Sequence, residues 1–453
     1  MLNIVASYCV VPSEETPETR LRLSDYDQVV RLGHTPNIYI YKAKHNHNTT
    51  EKMIKSLSKI LVFYYPIAGR LSLTESGRME LDCNAKGVTF LEAETTKSMS
   101  DYGDFSPSES IKELVPKIDY TTQPIEELPL LFVQLTRFHG GEGFAIGSAN
   151  SHVLSDGLAH IRFINSWAKV TRGETLEPHE MPSFLDRTAL IFQRSPSSPR
   201  FDHPELKPLP LKLGTSDDAA EKKKKTRAVL LKLTAKQVEK LKKKANEQPV
   251  KEGSRHYSRF EAITAHIWRC ASKARELDEK QPTLLRFNVD IRNRLIPPLP
   301  RNYFGNALVA TVTPKCYAGE IMSKPLSYAA QKVREANEMV SNEYIRSQSE
   351  AVLGQEHLDC IKAFFMGQGE RSLAHFPGNP NIQITSWMNL PVYEADFGWG
   401  KPIYFGLGYV NSHDRALILL SPEGDGSVIV SIHFQIAHMQ LFKKLFYEDY
   451  SKL

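Results

Sequence analysis

Phe144-Ala-Ile-Gly-Ser148-Ala-Asn-Ser-His152-Val-Leu-Ser-Asp156-Gly157 is an apolar run that breaks into a small polar turn and leads into the helical pattern Leu158 to Val170. A strand handed to a helix by a Gly-ended turn is the elementary unit of an α/β fold. The same unit sets a histidine at the rigid end of a strand, where a cleft can reach it. Ahead of it, Ile4 to Val11, Ile38 to Tyr41, Met79 to Asp82, Val88 to Glu92 and Leu130 to Leu135 read as further strands, and Thr50 to Tyr64 as an amphipathic helix. The stretch 195–226 carries Pro196, Pro199, Pro204, Pro208 and Pro210 with no apolar period and reads as a long crossover linker. Beyond it the pattern restarts. Arg227 to Leu233 and Leu284 to Asp290 are strands; helices start at Thr234, with Gln237 completing a capping box, and span Ser258 to Ala274. Ala416 to Leu420 and Ser427 to Ile436 flank Pro422-Glu-Gly-Asp-Gly426 as a hairpin. Two α/β halves, 1–194 and 227–453, follow, and ligand pockets favour such an interface.

Composition narrows the function. The 453 residues carry a net charge of +5, but eleven Lys/Arg against two Glu in 221–244 supply more than all of it, leaving −4 elsewhere. A basic face for nucleic acid is excluded, and the Lys222 to Lys225 run reads as a solvated linker followed by a surface helix. No apolar run is long enough to span a membrane, and the first residues lack the pattern of a secretory signal. Five scattered cysteines, Cys9, Cys83, Cys270, Cys316 and Cys360, show no metal or redox spacing and point to a cytoplasmic protein with reduced thiols.

His152 has a side chain whose ordinary pKa suits a general base, and a structural histidine is the alternative. Ser151 and His152 are neighbours in extended chain and face apart, so a Ser-His-Asp triad does not form from them. His152 and Asp156 at i, i+4, with His160 as the one further ligand at motif spacing, could hold zinc only on a helix, whereas Gly157 points to a turn, and no metal is expected. His45 and His47 read as a solvated loop.

His152-Val-Leu-Ser-Asp156-Gly157 matches the HxxxDG signature of CoA-dependent acyltransferases, and Asp396-Phe-Gly-Trp-Gly400 matches the DFGWG signature of the plant BAHD acyltransferases. The chain resembles that family over nearly its whole length, including His34-Thr-Pro36, Tyr65-Pro-Ile-Ala-Gly-Arg70, Asp290-Ile-Arg292 and Tyr303-Phe-Gly-Asn306. Thr385-Ser-Trp387, Tyr257-Ser-Arg-Phe-Glu261 with Trp268-Arg-Cys270, and the tail segments Ala437-His-Met439 and Phe446-Tyr-Glu-Asp449 look most like the spermidine hydroxycinnamoyl transferases. The resemblance implies two chloramphenicol-acetyltransferase-like domains, mixed sheets flanked by helices, with the active-site channel between them. It implies a monomer with no permanently bound cofactor and a coenzyme A thioester as co-substrate.

His152 would then be the general base, Asp156 a turn anchor paired with Arg292, and Trp387 with Thr385 the oxyanion and acyl-pocket side chains. His34, Thr35 and Tyr39 would line the acceptor side, and Ser258 and Arg259 would receive CoA phosphates. Asp396, Gly398, Trp399 and Gly400 would be structural. The implied reaction is acyl transfer from hydroxycinnamoyl-CoA to a small-molecule acceptor, with spermidine favoured. Shikimate or quinate is the alternative acceptor, and a non-catalytic binding protein on the same fold is a rival from another class. In the loop Gly369-Glu-Arg-Ser-Leu-Ala-His375, Arg371 lies one residue from the position at which shikimate-using relatives place an arginine, and Glu370 offers an acidic mouth for a polyamine.

Overall fold

The structure, a computed structural model, describes residues 1–42, 48–183, 187–192, 200–248, 253, 255–409 and 414–451. His45, His47 and linker positions 195–199 lie outside the described residues, as does the side chain of Asp449.

Two six-stranded mixed sheets form the frame. The first runs Leu2–Val10, Val88–Thr95, Leu131–Arg137, Phe144–Ser151, His34–Tyr41, Tyr404–Leu407 in spatial order, and the second runs Leu308–Val312, Leu285–Asp290, Ile382–Ser386, Arg415–Leu420, Val428–Gln435, Thr226–Leu233. The strand Phe144–Ser151 is buried along its whole length, pairing with Leu131–Arg137 on one side and His34–Tyr41 on the other. That double pairing suits the apolar Phe144-Ala-Ile-Gly147, and Ser148, Asn150 and Ser151 continue the strand as buried polar residues. Helices Thr49–Phe63 and Gly157–Thr171 cover one face of the first sheet, with Met53, Leu57, Ile60, Ile161, Ile164 and Trp167 in the core. The helix Arg259–Ala274 lies at the centre of the second half, its Ile263, Ile267 and Trp268 in a separate core.

The expected hairpin forms as Arg415–Leu420 with Val428–Gln435, and the Thr234 and Gln237 side chains make the capping box. Two features differ from the linear pattern. Tyr404–Leu407, far along the second half, crosses over and pairs with His34–Tyr41, so a C-terminal strand closes the edge of the first sheet. The linker is also packed rather than wet in its described part. Glu205 is buried, accepting hydrogen bonds from Tyr344 Oη (2.6 Å) and Gln348 Nε2 and contacting His203 Nδ1 at 3.1 Å. Leu209 packs with Leu284 and Val312, and Glu221 is buried against Asn379 and Gln435. Its polar residues are satisfied by partners more than a hundred positions away, which a local pattern does not reveal. Lys222, Lys223 and Lys225 are exposed, as read.

Candidate active site

The strand Phe144–Ser151 ends, and His152 emerges between the two halves. Its backbone is fixed at both ends of the peptide unit: the N–H donates to Gly33 O (2.9 Å), and the carbonyl accepts from Asn306 Nδ2 (2.8 Å). Asn306 also donates to Asp27, which pairs with Arg187, and Arg187 donates to Leu154 O (2.8 Å) in the same turn. The ring is partly exposed while its Nδ1 is buried, leaving Nε2 as the nitrogen toward the cleft. Burial, opposed by its own carbonyl and by the charge of Asp156, holds its pKa below the ordinary 6.5. A neutral imidazole at neutral pH is what a base requires.

Asp156 faces the other way. Its carboxylate caps the helix Gly157–Thr171 by accepting from Ala159 N (3.0 Å), takes the Ala307 N–H (3.0 Å), and pairs with Arg292 Nη2 at 2.9 Å. Asp156 and Arg292 are both buried, so the pair ties the turn to the second half.

Trp387 follows the strand Ile382–Ser386 and reaches across the interface. A methyl built on Gly157 would lie 3.4 Å from its indole Nε1, so the indole covers the first turn of the helix that follows His152. Thr385 is half-buried on that strand, on the same face as Gln383. Phe405 packs on Trp387 (5.6 Å between rings) and on Tyr39 (4.7 Å). Tyr39, five residues from His34, lies on the opposite face of the strand and belongs with this aromatic group. Its hydroxyl and that of Tyr393 are buried without hydrogen-bond partners.

On the other flank, both nitrogens of His34 are committed, at 2.8 Å to Tyr120 Oη and 2.8 Å to Pro129 O, and burial brings its pKa to about 4. His34 is thus a neutral support for Tyr120 rather than a free base. Arg371 lies over the Tyr120 ring at 3.6 Å, and its carbonyl accepts the Leu32 N–H (2.7 Å). Glu370 is exposed and meets Cys360 Sγ only through its carbonyl, so the loop presents the arginine and not the acid. Thr35 pairs opposite Asn150, half-buried. Ser258 and Arg259 stand apart from these groups. Ser258 Oγ caps its own helix in a box with Glu261, and Arg259 is exposed with Nη1 beside Gly426.

Asp396 accepts from the Gly398 and Gly400 amides at 2.7 and 3.0 Å, and both glycines have positive φ (+102° and +91°) that a side chain would strain. Trp399 packs on Phe144 (4.8 Å), Phe397 packs on Trp167 (4.9 Å), and Arg172 donates to Asp396 O. This loop therefore braces the start of the strand before His152 and the end of the helix after it.

Among the described residues, no group of three or more His, Cys, Asp and Glu is arranged to hold a metal, and no helix is long and apolar enough to cross a membrane. Residues around His152 that sequence reasoning did not assign are Tyr120 and Asn306. Only Asn306 carried a signal, as the end of Tyr303-Phe-Gly-Asn306.

His152, on the turn after the central strand, is thus backed by the buried Asp156–Arg292 pair, with the Trp387 indole over the first turn of the helix that follows. A Transferase family model matches residues 1–449. The sequence is 44% identical to a hydroxycinnamoyl-CoA:piscidic acid hydroxycinnamoyltransferase of Actaea racemosa, over 99% of this chain and 100% of that protein. It is 40% identical to a shikimate O-hydroxycinnamoyltransferase of Nicotiana tabacum over 99% of both. The crystal structure of vinorine synthase superposes with a TM-score of 0.69 at 24% identity, over 97% of this chain and 96% of that one. The chain belongs to the Transferase family, the BAHD acyltransferases, with hydroxycinnamoyltransferases among its relatives.

Proposed function

We propose that this protein transfers a hydroxycinnamoyl group from its coenzyme A thioester to the hydroxyl of a small carboxylic acid. The single observation that carries the acceptor is Arg371, laid on Tyr120 beside the turn that holds His152, with no carboxylate partner among the described residues. A guanidinium held flat and unpaired recognises a carboxylate by a forked hydrogen-bond pair. This replaces the spermidine expectation: a polycation gains nothing at an arginine, and Glu370 is turned out to solvent. Piscidic acid and shikimate, the acceptors named for the two relatives, are both hydroxy acids.

In the reaction, His152 Nε2 takes the proton of the acceptor hydroxyl as its oxygen attacks the thioester carbon. The Trp387 N–H faces the developing oxyanion, the C–S bond breaks, and the coenzyme A sulfur leaves with the proton returned from His152. No acyl-enzyme is needed. Burial raises the Cys83 thiol to about 12 and Cys316 to about 11, so these thiols are poor nucleophiles. The Tyr39, Tyr393, Phe405 and Trp387 group offers aromatic faces and two unpartnered hydroxyls to the ring of a hydroxycinnamoyl group. Ser258 and Arg259, with the helix start they occupy, are assigned to the CoA phosphates. The free cysteines suit a cytosolic setting.

Arg371→Met tests the acceptor assignment. With p-coumaroyl-CoA as donor, kcat/KM for shikimate should fall at least about 30-fold, mostly through KM, since charged hydrogen bonds are worth ~1.5–3 kcal/mol. An unchanged KM for shikimate rejects the carboxylate reading. Trp387→Phe keeps the ring and removes the N–H, and kcat should drop by about 10–100-fold with KM for p-coumaroyl-CoA nearly unmoved.

A further inference from the structure

A row of polar side chains crosses the second sheet: Arg286 lies opposite Gln383, Gln383 opposite Arg415, and Arg415 opposite His433. Alternation along these strands fixes where the row points. Phe287, Ile384, Ala416 and Ile432 fill the C-terminal core, whereas Leu417 and Leu419, on the face of Arg415, join the N-terminal core. The row therefore faces the interface, one step of the pleat, ~7 Å, from Thr385.

These cations make no direct ion pair, and only the Glu205 carboxylate acts on Arg286 from nearby. Arg415 Nη2 donates to Gln383 Oε1 (2.8 Å), and its buried Nε has no partner. Arg286 donates to the carbonyl of Glu205 at 3.3 Å, while the Glu205 carboxylate is taken up by His203, Tyr344 and Gln348. Arg31, in the segment tied to the Arg371 loop through Leu32, is exposed. Burial, with the charges of Arg31 and Arg286, lowers the Arg415 pKa to about 10, and the Arg31 charge also reaches His152. Among the described residues, no carboxylate forms an ion pair with Arg31, Arg286 or Arg415. Like charges gathered in a poorly solvated place are unfavourable unless an anion joins them.

We propose that Arg415, assisted by Arg31, is a second carboxylate clamp, and that the preferred acceptor is a hydroxy-dicarboxylic acid held between Arg371 and Arg415. This rests on the acyl-transfer reading above and specifies its substrate class. Coenzyme A phosphates are the competing anion, and the placement of Arg31 beside the Arg371 loop favours the acceptor side.

The test measures kcat/KM with p-coumaroyl-CoA for L-malate and tartrate against shikimate, in the wild-type chain, Arg415→Gln and Arg415→Lys. The wild type should favour a dicarboxylate by at least about tenfold. Arg415→Gln should erase that preference, with a loss at least about tenfold larger for the dicarboxylate than for shikimate, and Arg415→Lys should restore part of it. Equal losses on both acceptor classes would assign Arg415 to structure, and a raised KM for p-coumaroyl-CoA would assign it to the donor. Either result overturns the proposal, as does a wild type that favours shikimate. Acyl transfer to shikimate in that last case leaves the broader reading standing, whereas no transfer to any carboxylate acceptor removes both.

Discussion

His152→Ala should lower kcat by about 10³-fold or more while the melting temperature stays within about 2 °C of wild type. The side chain contributes a proton acceptor and little packing, and the backbone bonds to Gly33 and Asn306 that shape the turn do not depend on it. The pH dependence follows from the direction of its shift. Because burial holds the folded pKa below 6.5, the imidazole is neutral at pH 7, and kcat/KM should be level there and fall only as pH drops through the lowered pKa. The stability sign agrees. Below 6.5 the unfolded histidine takes up a proton more readily than the folded one, so acid destabilises the wild type by this linkage and spares the alanine variant that share. A variant that keeps more than a tenth of the wild-type kcat contradicts the assignment of the base.

Asp156→Ala should instead unfold the protein more readily, by ~3–5 kcal/mol, and reduce activity as a consequence. One substitution removes the cap on Ala159, the acceptor for Ala307 N–H and the partner of buried Arg292. Caps are worth ~1 kcal/mol, and the orphaned buried charge dominates the rest. The double variant Asp156→Ala/Arg292→Met should recover part of the lost stability, because the uncompensated charge goes with it. Thermal or urea unfolding of the three proteins reads this out. An Asp156→Ala protein as stable as wild type would show that the pair does not anchor the turn.

The strand to His152 was legible from the apolar start of a doubly paired central strand, whereas its extension through the polar Ser148, Asn150 and Ser151 was not. The capping box at Thr234 and the Pro422–Gly426 hairpin were legible because their partners lie within a few residues. What stayed hidden is long-range. Nothing local in Tyr404–Leu407 names His34–Tyr41 as its partner, and nothing in Glu205 announces Tyr344 and Gln348. The acceptor loop could be read only by position. Counting along the loop set Arg371 out of place and made Glu370 a candidate, whereas stacking on Tyr120 decides which side chain turns inward. Tyr120 itself is a loop tyrosine that acquires meaning only from His34, and Arg415 opens its strand just ahead of the apolar run Ala416 to Leu420.

Direct transfer from a hydroxycinnamoyl thioester to a carboxylate-bearing acceptor makes the choice between acceptors decisive. A competition assay tests it most directly, with p-coumaroyl-CoA, spermidine and a hydroxy acid present together and the products resolved by mass. The ester of the hydroxy acid should form with at least about tenfold higher kcat/KM than any spermidine amide, a margin that needs only ~1.4 kcal/mol of differential transition-state binding. Predominant spermidine conjugates, or an acyl group resident on the protein after incubation with the thioester alone, would contradict it.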